Sequence, residues 1–184
     1  GLDLKRQVIE NCNAIAKKYG YDGLSFRCGD VKDVIGELSP DMIITLHACD
    51  TATDEALAKG VEWKARYILS APCCQHELQK SLADRGAFAG LMRQSILRER
   101  LCDILTDSFR AMIMRILGFK TQVIEFVSSE ATARNILLKC EYGVKPGQPG
   151  PVSEYLNLRD YWGVRPWLEE RFGALLGKHL ERYE

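Results

Sequence analysis

Apolar positions recur at helical spacing through residues 5–19, where Val8, Ile9, Cys12, Ile15, Ala16 and Tyr19 fall together and Gly20 follows as a stop. The chain enters that predicted helix from Gly1-Leu2-Asp3-Leu4, which reads as the tail of a buried strand. Residues 24–28 alternate like a short strand and end in Gly29-Asp30, after which a weak helix is expected over 31–38. Met42-Ile43-Ile44-Thr45-Leu46 is a short apolar run, and such a run predicts a strand buried on both faces. A helix over 51–61 follows, with Thr51 or Thr53 able to cap it and Gly60 near its end. Tyr67-Ile68-Leu69 is the next buried strand and runs into Ser70-Ala71-Pro72-Cys73-Cys74; a helical stretch then breaks near Arg85-Gly86.

The longest helix is expected over 94–117. Its buried stripe would be Ile96, Leu97, Leu101, Ile104, Leu105, Phe109, Met112, Ile113 and Ile116. The arginines on or near it (93, 98, 100, 110 and 115) are interleaved with Glu99, Asp103 and Asp107 at ion-pair spacings, which predicts a solvated face. After Gly118, strands over 120–127 and 135–141 are joined by a turn at 128–132. The segment 145–151 (KPGQPGP) is too rich in Pro and Gly for a helix or central strand and is expected to be a linker. Beyond it come a short helix with Tyr155, Leu156, Leu158, Tyr161 and Trp162, then a last one opened by Pro166. The order is α/β: strands alternate with helices, which means a parallel sheet, and an antiparallel hairpin comes at the end. The organisation expected is a core over 1–143, a linker over 144–151 and a helical extension over 152–184.

Composition narrows this picture only a little. Lys plus Arg equals Asp plus Glu at 25 each, so a tight, non-specific polyanion binder is disfavoured. Seven cysteines, an odd number, with no basic-then-apolar leader predict a reducing compartment, the cytoplasm. No apolar stretch approaches the ~20 residues of a membrane helix, so no membrane partner is expected.

Reactive groups gather where strands end. Asp3 ends the first partial strand, Asp30 the next, His47 to Asp50 the third and Cys73 to His76 the fourth. Ligands of open α/β sheets bind beyond the carboxyl ends of the strands. Asp3 is placed to accept hydrogen bonds from ribose hydroxyls of a nucleoside cofactor, or equally to cap the helix after it. Asp30 is placed to accept from an adenine amino group, or to cap the helix at Val31. His47 is a candidate proton acceptor, or a structural tie within its loop. A zinc site from His47, Cys49, Cys73, Cys74 and His76 is disfavoured, because no C-x-x-C pair exists and adjacent cysteines in extended backbone point opposite ways.

Leu46-His47-Ala48-Cys49-Asp50-Thr51-Ala52-Thr53-Asp54 and Ala71-Pro72-Cys73-Cys74-Gln75-His76-Glu77 resemble a methyltransferase family with an L-H-A-C-x-x-A-T-D stretch and a downstream P-C-C-x-H stretch. They are also similar to tRNA 2′-O-methyltransferases with H-L-C-G-x-A-T-D and C-C-H-H in the corresponding places. The likeness extends to Thr106-Asp107-Ser108-Phe109-Arg110, to Glu125-Phe126-Val127 and to Thr132-Ala133-Arg134-Asn135, where relatives often read T-P-K-N. The resemblance implies a Rossmann-like class I methyltransferase sheet, mostly parallel with an antiparallel C-terminal hairpin. It implies S-adenosylmethionine as cofactor, Asp3, Asp30, Val31 and His47 as its contacts, and His47, Asp50, Cys74 and His76 around the transferred methyl. RNA is the acceptor class favoured by the tRNA-modifying relatives.

In that family a first strand with a glycine-rich turn precedes the position of Gly1 and lies centrally in the sheet. The chain is therefore expected to be N-terminally truncated, with a missing segment or a partner chain completing the sheet and with weak cofactor binding on its own. The competing readings are a non-catalytic binding module of the same fold and a nicotinamide-dependent oxidoreductase, against which the hairpin and the Cys-Cys-x-His loop argue. A thiol-redox role for Cys73-Cys74 is the least favoured, because vicinal disulfides are strained.

Overall fold

In a computed structural model the first apolar stripe forms helix α1 (Arg6–Lys18), flanked by two short strands, β1 (Leu2–Asp3) and β2 (Arg27–Cys28). The structure describes residues 1–34, 39–46, 48, 50–73, 75–83, 86–128, 130–132, 134–181 and 183. They form two compact units, Gly1–Leu38 and Ser39–Glu184.

In the first unit β1 and β2 pair in parallel, Leu2 with Arg27 and Asp3 with Cys28. Helix α1 buries Ile9 and Ala16, while Val8, Ile15 and Tyr19 are exposed, so its buried face is narrower than the apolar pattern predicted. Gly20, at φ +71°, turns the chain out of the helix, and the Tyr21 N–H closes on the Ala16 carbonyl at 2.9 Å. The Asn13 side chain then fixes the approach to β2: its Nδ2 donates to the Phe26 carbonyl at 2.9 Å and its Oδ1 accepts from the Phe26 N–H at 3.0 Å. In place of the helix expected over 31–38 there is a 3-10 turn at Val31–Asp33; residues 35–38 lie outside the described ones.

The second unit carries β3 (Met42–Leu46), α2 (Thr51–Glu62), β4 (Tyr67–Ala71), α3 (Ala89–Met92), α4 (Ser95–Ile116), β5 (Phe119–Glu125), β6 (Ile136–Tyr142), α5 (Pro149–Trp162), α6 (Trp167–Phe172) and α7 (Ala174–Leu180). Its strands lie in the order β3-β4-β6-β5. β3 and β4 are parallel, from Met42 opposite Tyr67 to Leu46 opposite Ala71; β6 runs antiparallel to both β4 and β5. One sheet face is built into the core, where Ile68, Leu138 and Cys140 join Leu57, Phe109 and Ile113. Gly60 belongs to that contact: a Cβ there would meet the Ile68 side chain, which would have to shift to keep α2 this close to the sheet.

Three expectations are corrected. β3 is an edge strand and not buried on both faces: Met42, Ile44 and Leu46 are 45%, 59% and 60% exposed. The residues 145–151 expected as linker already contain the first turn of α5, because Pro149 sits in that turn, where the N–H it lacks has no helical partner to lose. The stripe of α4 is rotated: Ile96, Leu97 and Ile104 are exposed, whereas Cys102, Met114 and the polar Thr106, Asp107 and Arg110 are buried.

The C-terminal helices close the core. Gly163 at φ +64° ends α5, and Gly173 at φ +48° separates α6 from α7. Val152, Tyr155, Leu168 and Leu176 from these helices share one apolar cluster with Ile68 and Leu138 of the sheet. No helix of the described residues is long and apolar enough to cross a membrane.

Candidate active site

β3 and β4 are parallel neighbours, so their carboxyl ends open on the same side, and the loops after them meet there. The meeting point is Asp50. Its Oδ1 accepts from the backbone N–H of His76 and of Glu77, each at 3.1 Å. Its carbonyl accepts from Arg110 Nη2 at 3.0 Å and from the Thr53 N–H at 3.1 Å. Asp50 has φ +52° and ψ −126°, a backbone conformation that an L residue with a Cβ adopts at a cost of roughly 1–3 kcal/mol. Thr53, a candidate cap for α2, instead donates its hydroxyl to the Ala48 carbonyl at 2.6 Å and ties the loop to the helix from inside.

Behind this junction lies a buried ionic network. Arg110, 2% exposed, donates from Nε and Nη2 to the two oxygens of Asp54 at 2.7 and 2.8 Å. Its Nη1 donates to Asp107 at 3.1 Å. Asp107 also accepts from Gln75 Nε2 at 3.0 and 2.9 Å, and Gln75 Oε1 accepts from Arg134 Nη1 at 3.4 Å. Arg134, from the turn between β5 and β6, is further paired with Glu99 at 2.8 Å. Three chain segments are therefore joined: the loop after β3, the loop after β4 and the hairpin turn. Burial opposes the Arg110 charge, but the Asp54 and Asp107 carboxylates together more than offset it and move the guanidinium pKa upward. Burial raises the Asp107 carboxyl above its ordinary range, against the lowering by Arg110 and Gln75.

Glu77 extends the site toward the C-terminal helices, its Oε1 accepting from the Trp167 N–H at 2.8 Å. Burial pushes the Glu77 carboxyl up to about 7, the Trp167 N–H opposing, Asp54 and Asp50 adding repulsion and Arg110 lowering it. A carboxyl with a raised native pKa binds more protons folded than unfolded between roughly pH 4.5 and 7, so its contribution to stability falls as pH rises through that window. Glu77→Gln keeps the acceptor and removes the charge. Its melting temperature should equal that of the wild type at pH 4 and be the higher of the two at pH 8; a variant less stable than wild type at pH 8 contradicts this.

The remaining sequence-identified residues divide as follows. His76 is exposed, and Gln79 Nε2 lies 3.2 Å from its Nδ1; with the amide donating, Nδ1 accepts and the neutral ring carries its proton on Nε2. That makes His76 a hydrogen-bond donor in this pose. His47, Cys49 and Cys74 lie outside the described residues, and among the described ones no His, Cys, Asp and Glu grouping is fit to hold a metal ion. In the N-terminal unit Asp3 and Asp30 stand at the carboxyl ends of the two paired strands. Asp3 Oδ1 accepts from the Lys5 N–H at 2.7 Å, and among the described residues Oδ2 has no partner. Asp30 caps the turn beginning at Val31 by accepting from the Lys32 N–H at 3.1 Å, and its other oxygen pairs with Lys32 Nζ at 3.2 Å. That Lys32 N–H holds the Asp30 carboxyl below its ordinary range.

The sequence pattern assigns no role to Asp54, Gln75 and Glu77, and it places Asp107 and Arg110 on a solvated face of α4, whereas the structure buries both. A signal for the last two is present: Asp107 and Arg110, together with Thr106, interrupt the apolar face of α4 around Phe109 and Ile113, a pattern that marks a polar cluster facing the core.

Residues 1–81 match the sequence model of a family described as a methyltransferase domain. The matched stretch takes in β1 to β4 and includes Asp3, Asp30, Asp50 and His76. No curated protein and no solved structure matches the chain. The mixed α/β fold with parallel and antiparallel pairs is compatible with a methyltransferase fold, and the family match supports a methyltransferase domain.

Proposed function

We propose that the protein is an S-adenosylmethionine-dependent methyltransferase whose transfer site lies at the carboxyl ends of β3 and β4. One observation carries the reading: the Asp50 carboxylate holds the His76 and Glu77 amides, so the two motif loops form one site. S-adenosylmethionine would supply an electrophilic methyl on a sulfonium sulfur. Transfer forms a bond from an acceptor lone pair to that methyl, leaves the S–C electron pair on sulfur, and requires the acceptor proton to depart. Alignment is the main demand on the protein. Asp50 Oδ2, without a partner among the described residues, is suited to orient the acceptor and take its proton, and His76 Nε2–H to donate to it. His47 and Cys74 are assigned to the same site by their motifs.

For the cofactor's nucleoside, Asp3 fits better than Asp30. Asp3 keeps one carboxylate oxygen for ribose hydroxyls, whereas Lys32 already occupies both oxygens of Asp30. Val31 adds backbone at the same strand end. The edge position of β3, which has a single strand neighbour among the described residues, supports completion of the sheet by a further strand, from a segment outside these residues or from a partner chain. RNA in the cytoplasm is the acceptor we assign from the resemblance to tRNA-modifying enzymes. The test is transfer of labelled methyl from S-adenosylmethionine by the full-length protein, against total RNA and total protein separately. Label in RNA is expected. Label in protein alone removes the RNA assignment, and label in neither, with the cofactor bound, leaves a binding module. On its own, residues 1–184 should bind the cofactor with no better than millimolar affinity by calorimetry, and micromolar binding would overturn the need for a completing strand.

A further inference from the structure

We propose that Arg110 is the positioning residue of this site, setting both motif loops from inside the fold so that Asp50 meets His76 and Glu77; the role in transfer rests on the function proposed above. Arg110 reaches the loop after β3 twice, at the Asp50 carbonyl and at both oxygens of Asp54. It reaches the loop after β4 indirectly, through Asp107 to the Gln75 amide, one residue before His76. The planar guanidinium spends its donors on three groups in fixed directions, which a flexible ammonium cannot reproduce. It sits on α4, a 22-residue helix in the apolar core, so its own position is rigid. The Asp50 backbone is held in a conformation unfavourable for a side chain, and Arg110 Nη2 is one of the groups holding it there.

Asp50 is thus fixed at both ends, by its carbonyl on Arg110 and by its carboxylate on the amides after β4. If Arg110 served stability alone, any loss of core packing on α4 would have the same consequence. If it sets the loops, damage should follow the hydrogen bonds. Gln75→Met cuts the branch from Arg110 to the loop after β4 together with the 3.4 Å bond from Arg134, Arg110→Lys loosens both Arg110 branches, and Ile113→Val removes core volume from the same helix without touching the network.

The experiment measures amide hydrogen exchange and methyl transfer in these variants. In Gln75→Met the His76 and Glu77 amides should exchange at least about 10-fold faster, while the Thr53 amide, bonded to the Asp50 carbonyl, stays within about 2-fold of wild type. In Arg110→Lys all three should accelerate. Given full-length protein with a detectable acceptor, kcat for Arg110→Lys should fall about 10–100-fold while KM for S-adenosylmethionine changes less than about 3-fold. Ile113→Val should keep wild-type kcat despite a lower melting temperature. Unchanged His76 and Glu77 exchange in both network variants would overturn the proposal, as would an equal kcat loss in Ile113→Val. If the wild type transfers no methyl, the exchange measurements still decide the positioning role, and the failure belongs to the function.

Discussion

Arg110→Leu should destabilise the Ser39–Glu184 unit by about 3–5 kcal/mol, the cost of stranding buried charges. Asp54 and Asp107 are both buried, and each has the Arg110 guanidinium as a partner. With leucine in its place, Asp54 loses two hydrogen bonds and Asp107 keeps, among the described residues, only the Gln75 amide. The carboxylates would then have to take up protons or draw in water. Their native pKa values would rise above those of the unfolded chain, so the native state would bind more protons and the deficit would shrink as pH falls from 8 toward 4. Adding Asp54→Asn and Asp107→Asn should restore at least half of the loss at pH 8, because the stranded groups become neutral. Urea unfolding at several pH values reads all three outcomes. A single-variant loss below about 1 kcal/mol, the range of an exposed ion pair, would mean that the network is wet in solution.

That network was also the part of the site least visible in the sequence. Pairwise spacing assigns Asp107 and Arg110 to a surface ion pair, because positions three apart on any helix can pair. Which side of the helix faces the core is decided by neighbours far along the chain: Asp54 in α2, Gln75 after β4 and Tyr155 in α5. The same rotation leaves Ile104 exposed although it is as apolar as Ile113. Elements were more legible than faces. Met42–Leu46 forms the strand its composition predicts, and α4 ends within a residue of the expected limits, since β-branched runs and glycine stops act locally. The hairpin was legible for the same reason, its return strand shifted by one residue. Pro149 misled because proline reads as a breaker unless its place in the first helical turn is known. The meeting of the two motif loops followed from strand order alone, but the backbone of Asp50 did not, because positive φ is rare for any residue other than glycine and residue type alone does not single this one out.

Asp50→Ala, Asp50→Gly and Asp50→Asn should all lower methyl transfer, by about 100-fold or more, if the carboxylate orients the acceptor and removes its proton. Their stabilities should separate. Alanine keeps a Cβ at φ +52° while removing the acceptor for two amides, so it suffers both penalties. Glycine also loses the acceptor but relieves the backbone, and should be more stable than alanine by about 1 kcal/mol or more. Asparagine can still accept from His76 and Glu77 through its amide oxygen, so it should be the closest to wild type. Stability and activity therefore follow different orders: asparagine repairs the loop but supplies neither the charge nor the basicity. If Asp50→Asn retains transfer within a few-fold of wild type, the carboxylate is only the tie between two loops. The proton acceptor would then have to be sought elsewhere at the ends of β3 and β4, His47 first among the motif residues.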